Sequence, residues 1–277
     1  MRALINNQTL KPDEIVIVNG GGKNNCRKVL LRWKKQFPQL KIFNIKNVNL
    51  SYSRNIGLPH CEGDLILQTD DDARPFPDWI ERLVSAHKLY REAGVIGGDV
   101  IDNRGKTFLS KISDIATFPH YSNTREVRSV PGVNSSYKKE AIQQVGEYDE
   151  LLFRGEDIDY NWRIIQKGWK VYYLPDIKVK HLHRPTWKSL FYQHYMYGRS
   201  HFLVRRKWPN MYSPYPLEIN SIYSVLKWLA SWFWFPWYDA FTKSKKMFIQ
   251  PNGFDFFILG FINLCNRLGA SIQKNFY

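Results

Sequence analysis

Residues 64–79 read DLILQTDDDARPFPDW, an apolar run that ends in three consecutive aspartates. The run predicts a strand over 64–69, and in open α/β sheets ligands bind at the carboxyl ends of strands. Adjacent carboxylates stay ionised cheaply only when a cation joins them. Asp70 and Asp72, at i and i+2, are spaced to converge on one hard divalent ion. Mg²⁺ or Mn²⁺ takes one or two carboxylates together with phosphate oxygens. The competing reading is a solvated turn ahead of the next helix, where Asp is common. Asp78, directly before WIERL, is the better-placed helix cap.

Strand and helix patterns alternate on both sides of this stretch. DEIVIVNGGG (13–22), LKIFNIK (40–46), VIGGDVI (95–101) and KVYYLPDIKVKHLHR (170–184) read as strands. CRKVLLRWKKQFP (26–38), LSYSRNIGLPHCEG (50–63), DWIERLVSAHKLYREAG (78–94) and EDIDYNWRIIQKGW (156–169) read as helices. NSSYKKEAIQQVGEYDE (134–150) reads as helix up to Gly146, and 102–130 shows no clear period. The alternation predicts an α/β domain with a mostly parallel sheet flanked by helices.

Two further constellations carry chemistry. Glu156 and Asp157 open a predicted helix, where the dipole favours a carboxylate. They form either an ordinary acidic first turn, with Arg163 six residues on, or a site for a general base. His181 and His183 alternate along a strand, so both are expected on one face, where an imidazole can ligate a divalent ion.

The chain carries a net charge of +15 over 277 residues. That balance favours anionic partners: phosphorylated small molecules, an anionic membrane surface or nucleic acid. No RNP, zinc-finger or helix-turn-helix signature is present, so nucleic acid is not expected as a partner. Three widely spaced cysteines without a CxxC pair argue against a zinc knot or a disulfide framework, and suit a reducing, cytosolic setting. The N-terminus has no basic-then-apolar signal sequence.

Taken in order, NQTLKPDEIVIV (7–18), SRNIGLPHCEGDLILQTDDDARPFPDWIERL (53–83) and VPGVNSSYKKEAIQQVGEYDELLFRGEDIDYNWRIIQKGWKVYYLPDIKVKH (130–181) resemble the family 2 glycosyltransferases, inverting enzymes of the GT-A, Rossmann-like fold. The resemblance implies roles. Asp72 would hold Mg²⁺ or Mn²⁺ on the diphosphate of a nucleotide-sugar donor. Asp70 would contact the ribose, or the metal through water, with Asp71 inside the same donor-binding motif. His181 would be a further metal ligand. Glu156 and Asp157 match the acidic pair ahead of the family's catalytic helix, with Asp157 the base for an acceptor hydroxyl. Arg54 and Asn55 match a pair that lies near the nucleotide, and turn and capping work is the competing role for both.

Two departures stand out. The family's opening strand, of the type VSVVIPTYN, has no counterpart here. The chain starts at MRALINNQTLKPDEI, inside the helix that normally follows that strand. The family's VDDGS is VNGGG (18–22), so Asn19 stands where an aspartate usually reads the base. These departures keep open an alternative: an inactive, truncated relative serving as a binding or scaffold module at a membrane.

The glycosyltransferase domain is expected over 1–185 and a helical, aromatic, membrane-associating tail over 186–277. SVLKWLASWFWFPWYDAF (224–241) and FDFFILGFINLCNRLG (254–269) are its most apolar parts. Lys227, Pro236 and Asp239 interrupt the first, and neither reaches the roughly 18 clean apolar residues of a spanning helix. Trp, Tyr and Lys together favour an interfacial position on the cytoplasmic leaflet. HFLVRRKWP and KSKKMF add cations for anionic lipid. Such an address suits a glycan or lipid-linked acceptor.

Overall fold

The computed structural model describes residues 1–277 except 22–25, 47, 103–106, 185, 212–215, 247–252 and 275–277. Gly22 of the altered turn, Pro214, Pro251 and the end of KSKKMF therefore lie outside the described residues. The chain divides into two compact units. One comprises Met1–Ile101 and His120–His181, the other Asp102–Pro119 and Leu182–Tyr277.

The first unit begins with a short helix, α1 (Arg2–Ile5), and the strand β1 (Ile15–Asn19). Helix α2 (Cys26–Gln36) leads to β2 (Leu40–Asn44), which pairs parallel to β1 from Ile15↔Leu40 to Asn19↔Asn44. Then come α3 (Leu50–Gly57), β3 (Leu65–Gln68), β4 (Ala73–Pro75), α4 (Trp79–Leu89) and β5 (Ala93–Asp102). Helix α5 (Phe108–Thr117) belongs to the second unit. The chain returns through β6 (Arg125–Glu126), β7 (Ser135–Lys138), α6 (Lys139–Val145), α7 (Glu156–Gln166) and β8 (Lys170–His181).

The strands after β2 form a second sheet, ordered β3-β7-β5-β8-β4, with β6 also paired to β8. This corrects the expected mostly parallel sheet. The β1–β2 pair is parallel, but β3–β7, β5–β7, β4–β8 and β6–β8 are all antiparallel. Periodicity identifies a strand without naming its neighbour. Here β7 comes late in the chain and inserts between β3 and β5, running against both.

That insertion also corrects the helix expected from 134. Ser135, Ser136 and Tyr137 are buried between the two neighbours, where ladder pairing outweighs local helix preference, and the helix starts only at Lys139. The aperiodic 102–130 stretch hides α5, capped by Thr107 Oγ1 accepting from Ser110 N at 3.1 Å. Asp78 sits at the N-cap of α4 but caps nothing, because its carboxylate is taken by Arg82 one turn on.

The core of this unit joins Val95, Val130, Tyr137, Ala141, Tyr148, Tyr160, Ile164, Val171 and Tyr173. Tyr148 stacks on Tyr160 with ring centroids 3.8 Å apart. Arg163, opposite the acidic end of α7, is structural: it pairs with Asp159 at 3.0 Å and donates to the Val145 and Glu147 carbonyls at 2.7 Å each.

The second unit is helical: α5 with α8 (Trp187–Lys207), α9 (Ile222–Phe233), α10 (Phe235–Lys246) and α11 (Gly253–Lys274). Capping boxes open α8 at Thr186/Ser189 and α9 at Ser221/Ser224. Helices α8 and α11 cross in close contact. A Cβ at Gly198 would lie 1.7 Å from the Asn266 carbonyl oxygen, and one at Gly269 would lie 1.9 Å from that of Tyr195. Only glycine at both positions lets the backbones approach this far.

Candidate active site

The segment between β3 and β4 carries the aspartates across the end of the sheet. Those two strands stand at opposite edges, yet only residues 69–72 separate them. A turn closed by Ala73 N donating to the Asp70 carbonyl at 3.2 Å redirects the chain, and Ala73 pairs opposite His181, the last residue of β8. This register brings three side chains together. Ligand atoms of Asp70, Asp72 and His181 all lie within 4.8 Å of one another, with His181 Nε2 3.1 Å from Asp72 Oδ1. Asp71, between them, is exposed and is not part of the set.

Burial pushes the Asp70 carboxyl above its ordinary pKa; Arg54 and His181 oppose the shift, and Asp72 and Glu156 reinforce it. A divalent cation would relieve that cost. Two carboxylate oxygens and an imidazole nitrogen on one side leave the remaining positions for phosphate oxygens and water, so the donor set fits Mn²⁺ or Mg²⁺.

His183 does not join this group. The strand ends at His181, and His183 turns into the helical unit, where its Nε2 lies 3.0 Å from Asp114 Oδ1 on α5. The expected shared face would have required two more residues of strand.

The second acidic group is built on α7. Glu156, its first residue, is buried and pairs with Arg54 of α3, Nη1 to Oε1 2.6 Å. Burial raises the Glu156 pKa, Arg54 opposes the shift and Asp157 adds to it. Removing one partner of such a buried pair strands the other as an unpaired charge. Asp157 accepts from Gly132 N at 3.1 Å through Oδ2 and from Ile158 N at 2.8 Å through Oδ1, which fixes the carboxylate plane.

Asn55 is not brought to the carboxylates. Its amide is occupied by the 148–150 loop, donating to the Tyr148 carbonyl and Glu150 Oε1 and accepting from Tyr148 N. Asn19, at the end of β1, donates to Asn44 Oδ1 at 2.9 Å and accepts from Gly21 N at 3.3 Å.

Gly132 was not singled out in the sequence, yet it ties these groups together. Its amide holds Asp157 and its carbonyl accepts from Gln68 Nε2 at 3.0 Å. A Cβ there would sit 2.7 Å from both Arg54 Nη2 and Gln68 Nε2. The signal was present in VPGVNSS, a glycine just ahead of a strand, but its partners are more than 20 residues away in the chain.

A sheet whose end gathers an Asp-x-Asp pair, a strand-end histidine and an acidic helix start fits the GT-A arrangement that the sequence resembles. The sequence model described as glycosyl transferase family 2 matches residues 2–146, and the chain belongs to that family. Among curated proteins, it is 29% identical over 161 residues to the glucosyl-dolichyl phosphate glucuronosyltransferase of Haloferax volcanii, covering 54% of this chain and 50% of that one. It is 22% identical over 238 residues to succinoglycan biosynthesis protein ExoA of Rhizobium meliloti, covering 78% and 70%. The chain thus spans only half the length of the first relative. Among solved structures, the mannosyltransferase PcManGT from Pyrobaculum calidifontis, in complex with GDP-Man and Mn²⁺, superposes with a TM-score of 0.64 at 13% identity. The match covers 96% of this chain and 80% of that one, and the likeness is one of fold.

Proposed function

We propose that this glycosyltransferase is metal-dependent and inverting. It moves a sugar from a nucleoside-diphosphate donor to a hydroxyl of a cell-envelope or lipid-linked glycan, at the cytoplasmic face of a membrane. The observation that carries the reading is the convergence of Asp70, Asp72 and His181 at the end of the sheet. The mannosyltransferase complex and the glycolipid and polysaccharide relatives support the donor class and the acceptor class.

Asp70, Asp72 and His181 hold the ion. When bound, it neutralises the charge that grows on the departing diphosphate. Asp157 takes the acceptor proton as the acceptor oxygen forms its bond to the anomeric carbon. The bond to the diphosphate breaks on the opposite face, and that group leaves with the electron pair. One displacement inverts the anomeric centre without a sugar–enzyme intermediate. The Arg54–Glu156 pair holds α7, and with it Asp157, against α3. Arg54, Asp71 and Asn19 complete the donor side, with Asn19 facing the base, while Asn55, expected there from the sequence, is held by the 148–150 loop.

Calorimetric titration with GDP, UDP and dTDP, each with and without Mn²⁺, tests the reading. Binding of one diphosphate only with Mn²⁺ is expected. No binding to any by a folded sample would favour the inactive, scaffold-like alternative.

A further inference from the structure

The helical unit has an apolar core of Ile112, Leu190, Ala240, Leu259 and Ile262, yet three of its helices also turn apolar stripes outward and bury polar side chains. On α9, Ile222, Leu226, Leu229 and Phe233 fall at i, i+4, i+7 and i+11, one stripe of the helix. All four are exposed, Ile222 by 76% and Phe233 by 73%. The opposite face buries Ser224 and Ser231. Helix α10 turns Tyr238 and Phe241 outward and Ala240 and Ser244 inward. Helix α11 exposes Phe254, Phe257 and Phe261 while it buries Asp255, Arg267 and Gln273. A helix that faces water shows the reverse pattern.

Some of the buried polar groups have partners within the unit. Arg267 Nε donates to Ser231 Oγ at 2.8 Å and lies over the Trp232 ring, and Asn263 donates to the Pro236 carbonyl at 2.8 Å and to Asp239 Oδ2 at 3.1 Å. With the core already filled, an exterior of Phe, Leu and Ile suits a non-aqueous surrounding.

Charge says which surrounding. Residues 102–119 and 182–277 hold 15 of the 40 basic residues and 5 of the 25 acidic ones, a surplus of ten in a chain of net +15. Three of the five acids are held off the apolar stripes: Asp114 faces His183, Asp239 faces Lys243, and Asp255 is buried. Lys227 lies on α9, and Lys245 stands 4.3 Å from the Phe241 ring centroid. A second copy of this chain would bring the same positive surplus against itself, whereas lipid phosphates complement it.

We propose that the outward stripes of α9, α10 and the first half of α11 are a docking surface for an anionic lipid bilayer. The stripes lie in the boundary between headgroups and acyl chains. Among the described residues, no helix is long and apolar enough to cross a membrane, so the surface lies on the bilayer rather than through it. The inference rests on the membrane location proposed above and gives that location its contact residues.

Co-sedimentation of the full chain with vesicles tests it. One set is phosphatidylcholine; the other adds phosphatidylglycerol as about one-third of the lipid, to set a negative surface potential. The wild-type chain is expected to bind the anionic vesicles, more weakly in high salt and weakly to the neutral set. The Leu226→Asp/Phe233→Asp pair should lose at least about tenfold in vesicle affinity, because the charges enter the apolar boundary. Its thermal unfolding should be unchanged, since both side chains already face outward.

Equal binding by wild type and the double variant would overturn the surface. So would a wild-type chain that ignores vesicles but forms a dimer that the double variant breaks; the stripe would then be a self-interface. Mn²⁺-dependent diphosphate binding, measured on the same samples without vesicles, reports the catalytic reading separately. Either reading can therefore fail while the other stands.

Discussion

The two units both bury an apolar core but differ in what they leave at the surface. In the sheet-bearing unit, Tyr137, Tyr160 and Ile164 fill the interior, and charge collects at the end of the sheet around Asp70, Asp72, Glu156 and Asp157. In the helical unit, Ile112, Leu190 and Leu259 are inside together with serines, Gln273 and Arg267, while Ile222 and Phe233 face out. The first arrangement gathers carboxylates at one end of the sheet, with Arg54 against Glu156 and His181 against Asp72. The second leaves apolar area uncovered. Neither feature contributes stability by itself, and both make sense once a ligand or a surface is added.

Asp157→Asn probes the first arrangement most strongly. It should lower transfer by about 10² to 10⁴ fold, the usual worth of a positioned base. Mn²⁺-dependent diphosphate binding should survive, and single-turnover assays beside calorimetry separate the two. Transfer retained near the wild-type rate would remove Asp157 from the base role.

Gly198→Leu probes the second. The new side chain would start 1.7 Å from the Asn266 carbonyl oxygen, so the α8–α11 crossing must open. A loss of roughly 3 kcal/mol is expected, at the upper end for overpacking. Diphosphate binding in the other unit should change little if the two units are energetically separate, and chemical denaturation followed by tryptophan fluorescence measures the loss.

The most gradual effect is a pH dependence. His194 of α8 is buried, and burial, then Lys243 and His201, push its pKa down to about 3 from 6.5. The folded form resists the proton that the unfolded chain accepts. Its contribution is therefore full above about pH 6.5 and falls as pH drops toward about 3, by at most about 1.4 kcal/mol per pH unit. His194→Gln should flatten that part of the stability–pH curve, read from melting temperatures between neutral and mildly acid pH. An unchanged slope would mean His194 is not the titrating group.

Most elements of the fold were legible in the sequence, because the alternation of LKIFNIK, the apolar run of LILQT and the 3.6 period of EDIDYNWRIIQKGW are local. The strand partners were not. Nothing in SSYK (135–138) says that it lies between β3 and β5, and that placement turned an expected helix into a strand and a parallel sheet into a mixed one. Helix α5 was hidden because Ser110 and Ser113 sit on its buried face beside Ile112, which blurs the apolar period.

Within the candidate site, the Asp70/Asp72 spacing and the family resemblance pointed to a cluster that the Ala73↔His181 register then assembled. His183 was misjudged by the same local reasoning, since the strand stops two residues before it. The Arg54–Glu156 pair and the Gly132 tie join residues 102 and 25 positions apart. Contacts over such distances leave no periodic trace.

The most direct test of the account is a Mn²⁺ titration followed by electron paramagnetic resonance, with and without GDP or UDP, on the wild type, Asp72→Ala and His181→Ala. The account predicts one Mn²⁺ bound per chain, tightened by a diphosphate, and weakened at least about tenfold in each variant, as loss of one ligand entails. Wild-type affinity in both variants would contradict it and place the ion, and with it the donor diphosphate, somewhere else on the protein.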